Sequence, residues 1–154
     1  MRISFTGPQC SGKSTLLARC KAHYGDKFEY VEEVTRPALE QGLKINEQGN
    51  NKTQLYILGE HIENDNLENV IMDRCIIDGW VYTSYLSMEG NVSEIVRTLF
   101  DRTFDTLIRN LNIVFYTKPV PFVTDGVRST NERFRKNITG IFETFIPVIK
   151  RDRR

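Results

Sequence analysis

Apolar positions along the chain change period several times, and each change predicts an element. "RISFT" (2–6) is a short strand candidate, and residues 13–23 then carry Leu16, Leu17 and Cys20 at helical spacing before Gly25. "FEYVEE" (28–33) predicts a second strand, and 35–41 a short helix that stops at Gly42. The stretch 43–53, "LKINEQGNNKT", is polar and reads as a loop. From 53 to 67, Leu55, Leu58 and Ile62 mark the apolar face of a helix whose opposite face is charged.

"NVIMD" (69–73) has the pattern of a buried strand, and Asp78 after it is placed to cap a helix carrying Val81, Tyr82, Tyr85 and Leu86. Residues 93–110 repeat the helical pattern with Val96, Leu99, Phe100, Phe104 and Leu107, and "NIVFYT" (112–117) predicts a fourth strand. Ser129 and Glu132 have capping-box spacing ahead of a helix with Phe134, Ile138, Ile141 and Phe145. "TFIPVIK" near the end fits either a final edge strand or the tail of that helix, Pro147 disfavouring a central strand. Strands alternating with helices imply βαβ crossovers and a mainly parallel sheet covered on both faces. The prediction is one α/β domain over residues 1–154, without linker, repeat or low-complexity segment.

Composition leaves that picture standing. The 154 residues are 40% hydrophobic and 27% charged, an ordinary globular balance, and suffice to bury about two-thirds of the unfolded surface. A net charge of +1 gives no global field that would select nucleic acid or an acidic membrane. Charge is uneven locally: Glu60, Glu63, Asp65 and Glu68 form an acidic stretch, and Arg128, Arg133, Arg135 and Lys136 a basic one. The basic tail "KRDRR" reads as a solvated end. No apolar run approaches the roughly 18 residues of a membrane span, and the N-terminus lacks signal-peptide organisation. Three cysteines without metal-ligand spacing, Cys10, Cys20 and Cys75, suit a reducing compartment, so a cytoplasmic location is expected.

The chemistry begins at "GPQCSGKST" (7–15), where Gly7, Gly12, Lys13 and Ser14 meet the spacing G-x-x-x-x-G-K-S/T. Glycines let the backbone curl so that its N–H groups face a phosphate, and the helix that follows adds partial positive charge. Lys13 would reach the β- and γ-phosphates and Ser14 would coordinate Mg²⁺, with Gln9, Cys10, Ser11 and Thr15 completing the cradle. A match by chance in a chain of this size is below roughly one per cent, and the motif lies between a predicted strand and a predicted helix. Nucleotide binding is therefore expected, with ATP and Mg²⁺ as cofactors. Cys10 sits where backbone N–H groups can lower a thiol pKa, but the x-positions of such loops tolerate many side chains.

Three features narrow the class. The Asn-Lys-x-Asp element expected of a GTP switch is absent, and "VIMD" ends on a single Asp73 followed by Arg74 rather than on an acidic pair. The chain is also small. Together these point to a kinase of small molecules. Such an enzyme needs an acceptor-side base, an acceptor site and charge over the phosphoryl group. Candidates follow the strands, where a doubly wound sheet places ligands. In "EEVTR", Glu33 can orient or deprotonate an acceptor hydroxyl and Arg36 can bind an acceptor phosphate, with neighbouring Glu32 an alternative carboxylate. In "DRCIID", Asp73 suits a metal shell and Arg74 the acceptor side. In "DGVRSTNERFR", Arg128, Arg133 and Arg135 beside Gly126 form a candidate lid over about 118–137. Tyr56, Trp80 and Tyr82 are able to stack on a base, core packing being the better reading of Trp80.

The order "GPQCSGKST", "EEVTR", "MDRCIIDGWVYTSYL" and "PFVTDGVRS" resembles the small P-loop kinases of the nucleoside and nucleotide kinase group. It is most similar to the ribosylnicotinamide-kinase-like branch, with its small AAA-type members from phage and bacteria. The resemblance spans residues 3–136. It implies a three-layer α/β/α P-loop fold with a helical lid, ATP, Mg²⁺ and phosphoryl transfer. It assigns Lys13 and Ser14 to phosphate and metal, Glu33 to the acceptor, Asp73 to the metal shell and Arg128 to the lid. Relative to that branch the C-terminus is short, so the last strand and adenine-flanking loop are expected to be reduced. The resulting expectation is transfer from ATP to a nucleoside or nucleoside monophosphate, leaning to the monophosphate because Arg36 and Arg74 would both meet its phosphate. Two alternatives stand beside it, a polynucleotide 5′-hydroxyl kinase and a regulatory nucleotide-binding ATPase. Only the former would bring in nucleic acid as a partner, and neither needs a membrane.

Overall fold

Strand alternation sets the layers. Along β1 (Arg2–Thr6), Ile3 and Phe5 point to one face and Ser4 and Thr6 to the other, the period-2 geometry of a pleated strand. β1 is central in a four-stranded parallel sheet of order β2–β3–β1–β4, with β2 at Glu29–Val31, β3 at Val70–Asp73 and β4 at Ile113–Tyr116. The computed structural model describes residues 1–120 and 131–152, the side chains of 150–152 excepted.

On one face, Phe5, Ile71 and partly buried Ile3 and Tyr30 pack against Leu16, Leu17 and Cys20 of α1 (Lys13–Tyr24). On the other, Val70, Met72, Val31, Val114 and Tyr116 meet a larger core. That core is supplied by α3 (Asn51–Asn64), α4 (Ile76–Met88), α5 (Glu94–Arg109) and α6 (Glu132–Asp152). The short α2 (Thr35–Glu40) follows β2. The expected three-layer α/β/α fold is present, with far more apolar burial beneath α3–α6 than beneath α1.

Several boundaries have direct causes. Asn50 caps α3 by accepting from the N–H groups of Lys52 and Thr53, and Ser93 caps α5 by accepting from Val96. The cap of α4 lies three residues before the expected one: Cys75 is the N-cap, and Asp78 supplies the reciprocal bond of a capping box from the first turn. Ser129 lies outside the described residues, and Asn131 Oδ1 accepts from Phe134 N at the start of α6. "TFIPVIK" belongs to α6, because Phe134, Ile138, Phe142 and Ile146 continue one buried stripe at helical spacing.

The second strand is shorter than expected, and the polar loop holds a 3-10 turn at Asn46–Gln48. Helix α3 is rotated from its expected face. Leu55 and Ile62 are 45% and 46% exposed, while Thr53, Gln54, Ile57, Leu58 and His61 are buried. Leu99 of α5 is also exposed, at the edge of a stripe centred on Val96, Phe100 and Leu107.

The rotation of α3 is measurable. Ile57→Ala removes a buried side chain and should lower stability by about 2–5 kcal/mol, whereas Leu55→Ala should cost less than about 1 kcal/mol. Chemical denaturation of both variants checks this, and comparable losses would contradict the observed orientation.

Candidate functional site

The parallel register brings four strand ends to one edge. Phe5 lies opposite Asp73 and Thr6 opposite Tyr116, so the residues that follow β1, β3 and β4 emerge together. Gly7 has φ 146°, and a Cβ there would collide with the Thr117 carbonyl. Gly12 at φ 81° makes the left-handed entry into α1. These two glycines give the 7–15 loop its curl. Thr117 holds the loop from β4: its N–H donates to Thr6 O at 2.8 Å, and its hydroxyl lies 2.7 Å from Ser11 Oγ.

Lys13 is buried within this loop. Its ammonium donates to the carbonyls of Gly7 and Pro8, both at 2.8 Å, and to Ser11 Oγ at 3.1 Å. Burial, reinforced by the Arg74 charge, holds its pKa down to about 8 against the attraction of Asp78, Asp73 and Glu33. An anion against this ammonium favours its charged form, so phosphate binding and Lys13 protonation reinforce each other.

Ser14 and Asp73 meet beside it, Ser14 Oγ donating to Asp73 Oδ2 at 2.6 Å. Asp73 Oδ1 is buried with no hydrogen-bond partner among the described residues. Burial raises the Asp73 pKa, opposed by Arg74 and by the Ser14 bond. A hydroxyl and a carboxylate with an unused buried oxygen are hard ligands of the kind Mg²⁺ accepts alongside phosphate oxygens and water. The residues fit the ion. No cluster of three or more His, Cys, Asp or Glu able to hold a metal occurs among the described residues.

Behind these groups lies a buried ion network. Arg74 follows β3 in a left-handed conformation, φ 84°, which aims its side chain back across the sheet edge. Its guanidinium contacts Glu33 Oε1 at 2.7 Å and Asp78 Oδ1 at 3.2 Å, and lies 5.2 Å from the Tyr82 ring centroid. Asp78, 2% exposed, also accepts from Thr6 Oγ1 at 2.7 Å, Cys75 N at 3.0 Å and Gly7 N at 3.3 Å. Burial pushes the Glu33 carboxyl up, but Arg74 and, more weakly, Lys13 outweigh it, so its pKa falls from 4.5 to about 2. Glu32 next to it is exposed.

Two cavities adjoin this network. One, along α1 and α2, is lined by Ser14, Lys21, Glu33, Arg36 and Asp73. The other lies between α3 and α4, lined by Gln54, Ile57, His61, Arg74, Asp78 and Tyr82 among others. Thr83 Oγ1 donates to Gln54 Oε1 at 2.8 Å and fixes that amide. His61 is kept neutral by burial, which holds its pKa down to about 4. The exposed leucine and isoleucine of α3 now have an explanation: its inner face is partly polar because it borders a cavity. Residues 53, 54, 57 and 61 repeat at helical spacing, and that was the sequence signal for Gln54 and His61.

The structure thus gathers Gly7, Gln9, Cys10, Ser11, Gly12, Lys13, Ser14, Glu33, Asp73 and Arg74 at one edge. Thr15 follows in the first turn of α1. Arg36 and Arg74 line separate cavities. Tyr56 turns away from both, its hydroxyl accepting from Gln41 Nε2 at 3.2 Å. Trp80 is half-buried against the edge of the core, stacked on Phe145 at 4.1 Å. Arg133 is exposed on the first turn of α6, and Arg135 donates to the carbonyl of Val120, whose N–H donates in turn to Cys10 O at 2.7 Å. Gly126 and Arg128 lie outside the described residues. No helix among the described residues is long and apolar enough to cross a membrane.

Fold and loop together define an α/β protein with a P-loop between its first strand and first helix. The chain belongs to the AAA domain family, whose profile matches residues 2–148. A search of curated protein sequences finds no match. The fold is similar to that of deoxyadenosine kinase from M. mycoides with bound dCTP, at TM-score 0.71 and 22% identity over 99% of this chain and 86% of that one. The same kinase with dCMP and dCDP gives 0.68 and 23% over 94% and 82%. NadR protein in complex with NR gives 0.67 and 17% over 94% of this chain and 42% of that one.

The ion network makes a pH-dependent prediction. Because the folded Glu33 pKa lies below its unfolded value, its stabilising contribution is full above about pH 4.5 and disappears as pH falls through about 2. The stability difference between wild type and Glu33→Gln, measured by denaturant titration, should therefore shrink steadily from pH 5 to pH 2. Arg74→Met, which leaves two buried carboxylates unpaired, should cost about 3–5 kcal/mol at pH 7.

Proposed function

We propose that the protein transfers a phosphoryl group from ATP to a hydroxyl of a nucleoside. The observation that carries this is the Glu33–Arg74 pair at the junction of the two cavities, Glu33 lining that of Ser14 and Asp73 and Arg74 lining that of Gln54 and Tyr82. The first cavity adjoins the phosphate loop; the second offers an amide, a neutral imidazole, a phenol ring and apolar walls, a chemistry suited to a base and sugar.

In this reading the acceptor is a nucleoside rather than the monophosphate. Arg36 and Arg74 line different cavities, and Arg74 is already ion-paired with two carboxylates, so they do not converge on one phosphate. The nucleoside kinase named among the structural neighbours agrees with this choice of acceptor class.

In this reading the loop N–H groups and Lys13 hold the donor phosphates. Ser14 and Asp73 would hold Mg²⁺, which when bound neutralises phosphate charge. Glu33 orients the acceptor hydroxyl. With its pKa near 2 it is a weak base, so it receives the proton late, as the loose transition state of phosphoryl transfer permits. Catalysis is chiefly positioning and charge neutralisation. Arg133, on the first turn of α6, and Arg128, outside the described residues, are assigned to the donor phosphates in this reading.

The test is ATP consumption with a panel of nucleosides, nucleoside monophosphates and 5′-hydroxyl oligonucleotides. Stimulation by nucleosides is expected, with Glu33→Gln lowering it by about a hundredfold. A thermal melt of that variant confirms folding. Selective stimulation by monophosphates or oligonucleotides would replace the acceptor, and stimulation by none would favour a regulatory ATPase.

A further inference from the structure

Gln9, the third residue of the phosphate loop, is 2% exposed. Its Oε1 accepts from the Tyr82 hydroxyl at 3.1 Å. Its Nε2 is buried and has no hydrogen-bond partner among the described residues. Native interiors rarely leave an amide donor unpaired, and where they do the site commonly awaits a ligand atom.

Tyr82 fixes which way that amide faces. Its ring carries the Arg74 guanidinium at 5.2 Å and meets Phe134 edge-on at 5.9 Å. It also lines the α3–α4 cavity. Its hydroxyl donates to the Gln9 oxygen. A donating hydroxyl selects the Gln9 oxygen and leaves the N–H₂ group for something else. The amide therefore lies at the seam between the donor loop and the acceptor cavity, where a donor's terminal phosphate supplies strong anionic acceptors.

We propose that Gln9 Nε2 donates to an oxygen of the terminal phosphate of a bound nucleoside triphosphate, and that Tyr82, a positioning residue, orients that bond from the acceptor side. The donor loop and the acceptor cavity are thereby coupled through one hydrogen bond. The coupling to an acceptor rests on the kinase reading above; the contact with the terminal phosphate does not.

Binding distinguishes the two. Affinity of the full chain for a non-hydrolysable ATP analogue and for ADP, each with Mg²⁺, should be measured in wild type, Gln9→Ala, Gln9→Glu, Tyr82→Phe and the Gln9→Ala/Tyr82→Phe double variant. Gln9→Ala should weaken the triphosphate analogue about tenfold while ADP changes less than about twofold. Gln9→Glu keeps the shape but replaces the donor with a negative charge, and should lose at least as much. Tyr82→Phe should produce a smaller loss of the same selectivity, and the double variant should lose no more than Gln9→Ala. Equal weakening of both ligands, or full triphosphate affinity in Gln9→Glu, overturns the contact. Additive losses in the double variant overturn the Tyr82 link. If the nucleoside panel fails while Gln9 still discriminates triphosphate from diphosphate, the contact stands and only the transfer reading falls.

Discussion

The ion pairing of Arg74 organises everything around it. A buried guanidinium needs compensation, and here Glu33 from beyond β2 and Asp78 from α4 provide it. The left-handed φ that aims Arg74 at both is itself unfavourable for a side-chain-bearing residue, by roughly 1–2 kcal/mol. The two ion pairs offset that cost. Asp78 then extends the network to Thr6 and Gly7, so one carboxylate links the end of β1, the phosphate loop and the start of α4. Disturbing Arg74 would loosen the 7–15 loop and Glu33 together.

The same network separates two tasks of neighbouring carboxylates. Glu33, paired with Arg74, is held ionised, whereas Asp73 is pushed up by burial and keeps one oxygen unbonded among the described residues. One is suited to fixing a hydroxyl and the other to meeting a cation. Their difference arises from surroundings rather than residue type. Helix α3 shows the related effect on packing: an inner face carrying Thr53, Gln54 and His61 is less apolar than a core face because it borders a cavity.

Much of this was legible along the chain. The loop spacing at Gly7, Gly12, Lys13 and Ser14 and the strand-to-helix context around it are local, and the four β-strands among the described residues lie within their expected segments. Errors came where a face had to be chosen. In α3 the largest apolar residues, Leu55 and Ile62, lie outside the buried face, which Gln54 and His61 share with Ile57 and Leu58. Asp78 was expected at the cap itself and instead closes a capping box from the first turn, because Cys75 already occupies the N-cap.

By itself the sequence determined that a phosphate loop joins a buried strand to a helix, and that parallel strands alternate with helices. These follow from residue spacing and hydrophobic period, which act over a few residues. Tertiary structure alone decided that Glu33 rather than Glu32 turns inward to Arg74, that Arg36 and Arg74 face different cavities, and that Gln9 meets Tyr82. Such contacts join residues tens of positions apart. They depend on strand register and on the rotation of packed helices, which only the completed core sets.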